Sequence, residues 1–300
     1  MEVGGTDRPI EKEYRHVVSD NRRWERFVAR PGDIFVCTPP KCGTTWTQAI
    51  VMTLLYPDGD MPGSLFEAAP WIDARFEPID VILARLDAQT RRRCIKTHTP
   101  ADGIPWFAEA SYIVVGRDGR DAFMSFHNHM SNMRPDRIME LAGSAMEEGI
   151  ELGEIPPMED IHEFFAYWLR ERIYFDHLST FWAHREEPNV HFVHFDDLKA
   201  DLDGSMREIA DFLNIEIDEA RWPALVERCT FASMRARSDE IADFGQLFVG
   251  GAETFLYKGT NNRWRGVLRD DELAAFDRCS AELLPPAAVT WLNRGGSPPT

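Results

Sequence analysis

The residues with the clearest chemical potential form one short stretch, Thr38-Pro39-Pro40-Lys41-Cys42-Gly43-Thr44-Thr45-Trp46. Gly43 lets the backbone approach a ligand closely, and Thr44 and Thr45 bring hydroxyl groups to the point where a helix is predicted to begin. The helix N-terminus adds partial positive charge, and Lys41 adds a full charge. The stretch therefore predicts a binding site for an anion such as phosphate.

This stretch differs from the phosphate loop of nucleoside triphosphatases, in which the lysine follows the last glycine of a Gly-Lys-Ser/Thr motif. Here Lys41 precedes Gly43, and Gly-Lys-Ser/Thr occurs nowhere in the chain. Two interpretations stay open at this point. The stretch is either an anion site or an ordinary helix N-terminus that follows a lysine by chance.

A second chemical candidate is His98, which lies in Lys96-Thr97-His98-Thr99-Pro100 at the end of a short apolar segment. Catalytic groups gather at the carboxyl ends of strands in open α/β sheets. A neutral imidazole can take a proton from a hydroxyl group near neutral pH. We predict that His98 is a catalytic base, and a structural role is the alternative because the chain has nine histidines.

The elements that must position these residues follow from the hydrophobic pattern. Strands are predicted at 34–38, 94–97, 112–116 and 190–195, and helices at 44–55, from Asp118 or Asp121 to about Met130, at 160–184 and from Asp196 onward. Strands that alternate with helices favour a mostly parallel central sheet flanked by helices, an α/β fold. The polar, glycine-containing segment 237–265 is interpreted as a mobile lid.

Length and composition predict one domain over residues 1–294 and a disordered tail at 295–300. The chain has no apolar run long enough for a transmembrane segment and no apolar signal core at its N-terminus, which favours a cytoplasmic protein. The net charge of −17 argues against nucleic acid as a partner. The five cysteines form no CxxC pair and are expected to be free thiols.

Four stretches resemble signatures of PAPS-dependent sulfotransferases of the cytosolic type, where PAPS is 3′-phosphoadenosine 5′-phosphosulfate. Residues 40–46 resemble the Pro-Lys-Ser-Gly-Thr-Thr-Trp loop that holds the 5′-phosphosulfate, and Lys96-Thr97-His98 resembles the motif of the catalytic histidine. Residues 112–125 resemble the strand, turn and helix that bind the 3′-phosphate. Residues 255–264 resemble the Arg-Lys-Gly-x-x-Gly-x-Trp segment that folds over the 3′-phosphate and adenine.

The resemblance implies PAPS as co-substrate, no metal, and the P-loop-NTPase-like sulfotransferase fold. It implies a catalytic set and a donor-binding set of residues. The catalytic set is His98, Lys41 and Lys96, and the donor-binding set is Lys41, Cys42, Gly43, Thr44, Thr45, Trp46, Arg117, Ser125, Phe195, Phe231, Leu256, Tyr257, Lys258 and Gly259.

Three positions depart from the family pattern. Cys42 replaces a serine, Tyr257 replaces an arginine and Asn262 replaces a glycine. Asparagine tolerates a positive φ better than most residues, so Asn262 is expected to keep the turn. Tyr257 removes one charge from the phosphate site, for which Arg263 or Arg265 is a candidate replacement.

The expected reaction is in-line displacement onto a hydroxyl group, in which Lys41 neutralises charge on the bridging oxygen. The walls of the acceptor pocket are expected from 57–80, 127–160 and 240–256, including Trp71, Met130, Met133 and Phe248. Their apolar character predicts a small-molecule or lipid-like acceptor, an alcohol, phenol, sterol or glycolipid. The pair His127 and His129 lacks carboxylates at metal-ligand spacing and is interpreted as an acceptor-pocket or packing pair.

Two other functions stay as alternatives. A small-molecule kinase would need Gly-Lys-Ser/Thr and carboxylates for magnesium, whereas Tyr257 leaves room for a protein that binds PAPS without catalysis. The family's dimer motif is not recognisable at 265–273, so the oligomeric state is open. The 28 arginines against 5 lysines are typical of a GC-rich bacterial genome.

Overall fold

The computed structural model describes residues 7–154 and 156–298. Within them, four short strands form one parallel sheet in the order β2-β1-β3-β4. The strands are β1 (Ile34–Cys37), β2 (Cys94–Thr97), β3 (Ser111–Gly116) and β4 (Val190–His194). The predicted parallel sheet is confirmed, and each predicted strand is found to within one residue at either end.

Helices cover both faces of the sheet, as the run of apolar residues in each strand requires. They are α1 (Thr44–Leu55), α2 (Leu65–Ala68), α3 (Ile79–Ala88), α4 (Gly119–Asn132), α5 (Pro135–Glu147), α6 (Ile161–Glu171), α7 (Ile173–Trp182), α8 (Phe195–Ala200), α9 (Leu202–Phe212), α10 (Trp222–Arg228), α11 (Phe231–Ala236), α12 (Ala252–Phe255), α13 (Asp270–Leu283) and α14 (Pro286–Arg294).

Alternate side chains of β1 enter two separate cores. Phe35 and Cys37 pack into the core that contains the aromatic residues of α6 and α7. Ile34 and Val36 pack into the core that contains the apolar residues of α1 and α9. Both faces of the central strand are therefore dry, and β1 has little freedom to move relative to its neighbours.

The register brings the carboxyl ends of the strands to one edge. Cys37 of β1 is paired with Thr97 of β2 on one side and with Val114 of β3 on the other. On the far side of β3, Gly116 is paired with His194 of β4. The residues that follow the strands therefore emerge side by side, which is where open α/β sheets bind ligands.

The predicted single helix at 160–184 is wrong, because the structure divides it into α6 and α7. Arg172 adopts a left-handed conformation, with φ of 56°, and this conformation ends α6 and starts α7. Neither glycine nor proline marks the break in the sequence. The break places Glu171 and Ile173, on either side of it, in the wall of the cavity described below.

Part of the predicted disordered tail contacts the domain. Gly296 N donates to Asp197 Oδ2 at 2.8 Å, and Trp291 Nε1 donates to the Gly296 carbonyl at 2.6 Å. Residues 299 and 300 of the predicted tail, and residues 1–6 of the predicted domain, lie outside the described residues. The assignment of domain boundaries stays a prediction.

A buried ion pair fixes the start of the sheet. Arg93, just before β2, donates from Nε to Asp33 Oδ1 at 2.8 Å and from a terminal nitrogen to Asp33 Oδ2 at 2.5 Å. Both side chains are at most 2% exposed. We expect Arg93→Met to lower the free energy of unfolding by about 3–5 kcal/mol, because the buried Asp33 charge then loses its positive partner and keeps only the Arg30 N–H.

The measurement is urea unfolding, with Arg91→Met as the control. Arg91 pairs with Asp60 at the surface, where both side chains are at least 40% exposed, so its loss should cost less than about 1 kcal/mol. Equal losses in the two variants would contradict a structural role for the Arg93–Asp33 pair.

Candidate functional site

One cavity of about 890 Å³ lies at the carboxyl edge of the sheet. Its wall contains every predicted site residue except Cys42. They are Lys41, Gly43, Thr44, Thr45, Trp46, Lys96, His98, Arg117, Ser125, Phe195, Phe231, Leu256, Tyr257, Lys258 and Gly259. Their assembly follows from the sheet, since most of them come directly after a strand or at the start of a helix.

The loop between β1 and α1 presents a row of amide groups to this cavity. Gly43 has φ of 110° and Lys41 has φ of 69°, so the chain turns sharply before the helix begins. The N–H groups of residues 43–46 have no acceptor among the described residues. With the helix dipole, this arrangement is suited to bind an anion.

Cys42 differs from its neighbours in this loop. Its N–H donates to the Pro39 carbonyl at 3.3 Å and is therefore not free for a ligand. Its side chain is fully buried, and burial raises the pKa of the thiol to about 12. The thiol thus remains protonated and points away from the cavity, and a role for Cys42 in ligand binding stays a prediction.

Lys41 extends from the loop toward α4 and α12. Its Nζ lies 3.3 Å from Nδ1 of His129 and 4.5 Å from the ring centre of Phe255. Burial lowers the pKa of Lys41 to about 7, and the positive charges of Lys96 and Arg117 add to this effect. The ammonium group is therefore poorly compensated in the protein alone and is suited to bind an anion.

Lys96 and Arg117 complete a cluster of cations. Lys96 Nζ lies 4.4 Å from the ring centre of Trp71, and burial lowers its pKa to about 8. The Arg117 guanidinium lies 4.1 Å from the ring centre of Phe195. It donates to the Lys41 carbonyl at 3.1 Å, and its Nε is buried without a partner among the described residues.

Arg117 forms no ion pair with a carboxylate in the described part of the chain. A role for Arg117 as a salt-bridge residue therefore has no support, whereas its hydrogen bond to the Lys41 carbonyl is compatible with a capping role. An orphaned, buried guanidinium nitrogen is costly, and a phosphate group in the cavity would supply the missing acceptor.

His98 is held in one orientation by the loop. Its Nδ1 lies 2.7 Å from the Thr38 carbonyl, which can only accept, so Nδ1 carries the hydrogen and Nε2 carries the lone pair. The ring packs edge-on against Trp71 with centres 4.7 Å apart. Burial, and then the charge of Lys96, holds the pKa of His98 well below its ordinary value. The imidazole is therefore a neutral proton acceptor at pH 7.

A buried carboxylate supports the strand end that carries His98. Asp73 accepts hydrogen bonds from the hydroxyls of Thr97 and Thr99, each at 2.6 Å, and from Trp24 Nε1 at 3.1 Å. These two threonines flank His98 on both sides. Sequence reasoning missed Asp73, because its partners lie far away along the chain.

Aromatic rings surround the other end of the cavity. Trp46 donates from Nε1 to the Cys229 carbonyl at 2.7 Å and packs edge-on against Phe195 with centres 5.5 Å apart. Phe231 is 37% exposed and lies beside Gly259, where an added Cβ would come within 3.1 Å of its ring. These rings form a slot into which a planar group can stack.

The structure shows the surroundings of Tyr257 and Asn262, the two residues near the C-terminal motif that differ from the family pattern. Asn262 has φ of 63°, so the expected positive φ is confirmed. The Arg263 guanidinium lies 4.9 Å from the ring centre of Tyr257 and lines the cavity. Arg265 instead bonds Asn262 Oδ1 at 3.0 Å and lies outside the cavity wall. Arg263 is thus the better-placed cation to replace the missing arginine.

The apolar end of the cavity agrees in part with the predicted acceptor walls. Trp71, Met130 and Met133 line it, whereas Phe248 lies behind His129 with ring centres 4.8 Å apart. The histidine pair is divided, since His129 faces the cavity while His127 bonds the Met158 carbonyl at 2.8 Å. Residues 15–18 also line the cavity, and no motif in the sequence indicated them.

Two absences concern the described residues alone. In residues 7–154 and 156–298, no group of three or more His, Cys, Asp or Glu side chains is arranged to hold a metal ion. In the same part of the chain, no helix has both the length and the apolar character needed to cross a membrane. The compartment in which the protein works stays a prediction.

Comparisons with known proteins show the family to which the chain is similar. A family model described as the sulfotransferase domain matches residues 31–285. A glycolipid sulfotransferase of Mycobacterium bovis is 34% identical over 316 residues, which cover 97% of this chain and 95% of that relative. The amine sulfotransferase of Oryctolagus cuniculus is 27% identical over 269 residues, which cover 85% and 82% of the two chains.

A solved structure shows the same fold. A mouse sulfotransferase complexed with PAP (3′-phosphoadenosine 5′-phosphate) matches with a TM-score of 0.68 and 19% identity. The match covers 92% of this chain and 95% of that chain. The predicted sulfotransferase fold is therefore confirmed.

The loop geometry makes a prediction about Gly43. An added Cβ would lie 2.9 Å from the Phe195 ring, and φ of 110° is unfavourable for any other residue. We expect Gly43→Ala to lower the free energy of unfolding by about 1–3 kcal/mol. Urea unfolding is the measurement.

Gly143→Ala is the matched control, because Gly143 lies inside α5 and an added Cβ there meets nothing within 4 Å. This variant should gain up to about 1 kcal/mol from helix propensity. A Gly43→Ala protein as stable as the wild type would contradict the left-handed geometry of the loop.

Proposed function

Since the chain belongs to the sulfotransferase domain family, we propose that it transfers the sulfuryl group of PAPS to a hydroxyl group of an amphipathic acceptor. His98 is the base in this proposal, and Lys41 and Lys96 stabilise the transferred charge. Family membership also argues against the alternative of a small-molecule kinase. The main support for the proposal is the row of free N–H groups at residues 43–46. In the same cavity lie three basic side chains without an ion pair, Lys41, Lys96 and Arg117, and the neutral imidazole of His98.

The donor fits the polar side of the cavity. The free N–H groups of residues 43–46 would bind the 5′-phosphate, and Arg117 with Ser125 would bind the 3′-phosphate. The orphaned Arg117 Nε supports this placement, because a phosphate oxygen would satisfy it. The adenine would stack in the slot formed by Trp46, Phe195 and Phe231.

The transfer step follows from the two groups that flank the sulfuryl position. His98 Nε2 takes the proton of the acceptor hydroxyl while the oxygen of that hydroxyl forms the new bond to sulfur. The bond between sulfur and the bridging oxygen of PAPS breaks, and its electron pair remains on the phosphate of the product PAP. Lys41 neutralises this new negative charge, which is electrostatic stabilisation of the leaving group.

The acceptor side is apolar with aromatic faces. Trp71, Phe76, Met130 and Tyr167 lie in the same wall as His98. Such a wall suits a lipid-like alcohol, a phenol, a sterol or a glycolipid. A glycolipid is favoured among these, because the relative at 34% identity is named a glycolipid sulfotransferase.

The proposal predicts that His98→Ala lowers the turnover number by about 10²–10⁴-fold, the usual contribution of a general base. The assay follows transfer of radiolabelled sulfate from PAPS to a panel of phenols, sterols and glycolipids. His127→Ala is the control, since His127 bonds Met158 outside the cavity wall and should keep its activity. Absence of transfer to every acceptor by the wild type would refute the proposed function.

The pKa of Lys41, about 7 in the free protein, makes a prediction about proton linkage. At about pH 8 the free lysine is mostly neutral, whereas an anion beside it raises its pKa and restores its proton. Binding of PAP at that pH should therefore take up protons, and the affinity should fall as the pH rises above 7.

Calorimetry in two buffers of different ionisation enthalpy measures the number of protons taken up. Lys41→Met should reduce the uptake, leaving only the contribution of Lys96, whose pKa of about 8 lies close to the working pH. Unchanged uptake in Lys41→Met would contradict the assignment to Lys41.

A further inference from the structure

Two histidines in the cavity are held in opposite tautomers. His98 Nδ1 faces the Thr38 carbonyl, an obligate acceptor, at 2.7 Å. His129 Nδ1 faces the Lys41 ammonium, an obligate donor when it is charged, at 3.3 Å. The hydrogen therefore lies on Nδ1 in His98, and it lies on Nε2 in His129 when a bound anion keeps Lys41 charged. One ring offers a lone pair at Nε2, and the other offers an N–H group.

The N–H group of His129 is available to a ligand. His129 lies on α4, one turn after Ser125, and lines the same cavity as His98. Its ring is fixed between Phe248 and Phe255, with centres 4.8 and 5.9 Å away. Within the described residues its Nε2 has no hydrogen-bond partner, and it is not one of the fully buried side-chain atoms that lack a partner, so it is accessible from the cavity.

We propose that His129 binds the acceptor by donating its Nε2–H to a second oxygen, next to the hydroxyl that His98 deprotonates. The acceptor is then a molecule with adjacent oxygens, such as a sugar or another vicinal diol, attached to an apolar body. A monohydric alcohol or a simple phenol would leave this donor unpaired. The inference rests on the proposed function and narrows its substrate class.

The energetic argument is one of discrimination. If the bound substrate lacks the second oxygen, the Nε2–H group of His129 loses its hydrogen bond to water and gains no other hydrogen bond. Sites that hydrogen-bond a substrate oxygen therefore reject analogues without it. The His129 ring lies between the rings of Phe248 and Phe255, and Met130 and Met133 line the cavity nearby, so few polar groups beside His129 could replace the missing oxygen.

The competing explanation is that His129 only holds Lys41. Substitutions at position 129 separate the two roles, because Asn and Gln place their amide groups at different distances from the backbone. His129→Asn places an amide near the Nδ1 position, so it keeps a partner for Lys41 and loses the Nε2 donor. His129→Gln places an amide N–H near the Nε2 position, and His129→Phe removes both.

The experiment compares two acceptors that differ by one hydroxyl group, decane-1,2-diol and decan-1-ol, with radiolabelled PAPS. The wild type should prefer the diol in kcat/KM by about tenfold, of which about twofold is statistical and about fivefold is the hydrogen bond. His129→Phe and His129→Asn should reduce the preference to about twofold, and His129→Gln should retain most of it. The ratio cancels any effect on Lys41 that both acceptors share.

Three results would overturn the inference. If the wild type prefers the diol by no more than about twofold in kcat/KM, His129 does not donate a hydrogen bond to the acceptor. The same conclusion follows if His129→Phe prefers the diol as strongly as the wild type. Loss of the preference in His129→Phe but not in His129→Asn assigns the effect to Lys41. If His129→Phe fails to fold, His129→Asn and His129→Gln still decide the question. If both acceptors are sulfated with a ratio of kcat/KM that is the same in the wild type and all three variants, the inference about His129 is rejected and the proposed function is not. If neither this pair nor any acceptor in the panel is sulfated, the proposed function is rejected as well.

Discussion

The site depends on keeping three basic side chains close together without a direct ion pair to a carboxylate. Lys41, Lys96 and Arg117 form no ion pair in the described part of the chain, although the chain carries a net charge of −17. An aromatic ring lies beside each of them instead, at 4.5, 4.4 and 4.1 Å respectively. Aromatic faces attract cations more weakly than carboxylates do. The cluster therefore keeps most of its field for an anionic ligand, and the fold bears the cost of holding it.

The order of the strands explains how this cluster is assembled. β1 lies between β2 and β3, so its loop, which carries Lys41, lies between the strand of Lys96 and the residue after β3, Arg117. The same two residues are the charges that lower the pKa of Lys41 after burial. His98 and Arg117 each follow directly on the last residue of a strand. Their backbones are thus fixed by the ladders, whereas Lys41 is positioned by the loop between β1 and α1.

Local signals predicted the sheet and the anion loop, because a buried parallel strand reads as an apolar run and a glycine before two threonines marks a helix start. The break at Arg172 left no such signal, since a left-handed arginine is held by its surroundings and not by its own preference. Asp73 was also not assigned, and His129 was interpreted only as part of an acceptor-pocket or packing pair, because their partners lie more than 20 residues away. Residues 15–18 reach the cavity only through tertiary packing. The sequence thus indicated most of the residues that line the polar side of the cavity, whereas the residues whose contacts depend on distant partners were not indicated.

The cations also control the two imidazoles that face them. Burial and the charge of Lys96 lower the pKa of His98, and burial and the charge of Lys41 lower the pKa of His129. Both rings are therefore neutral near pH 7, but a low pKa also makes His98 a weak base. An anionic donor in the cavity would offset the positive field and raise that pKa toward the working pH. The imidazole would then become a stronger proton acceptor when an anionic nucleotide is bound, so that occupancy of the cavity by an anion and the basicity of His98 are linked by the same electrostatic field.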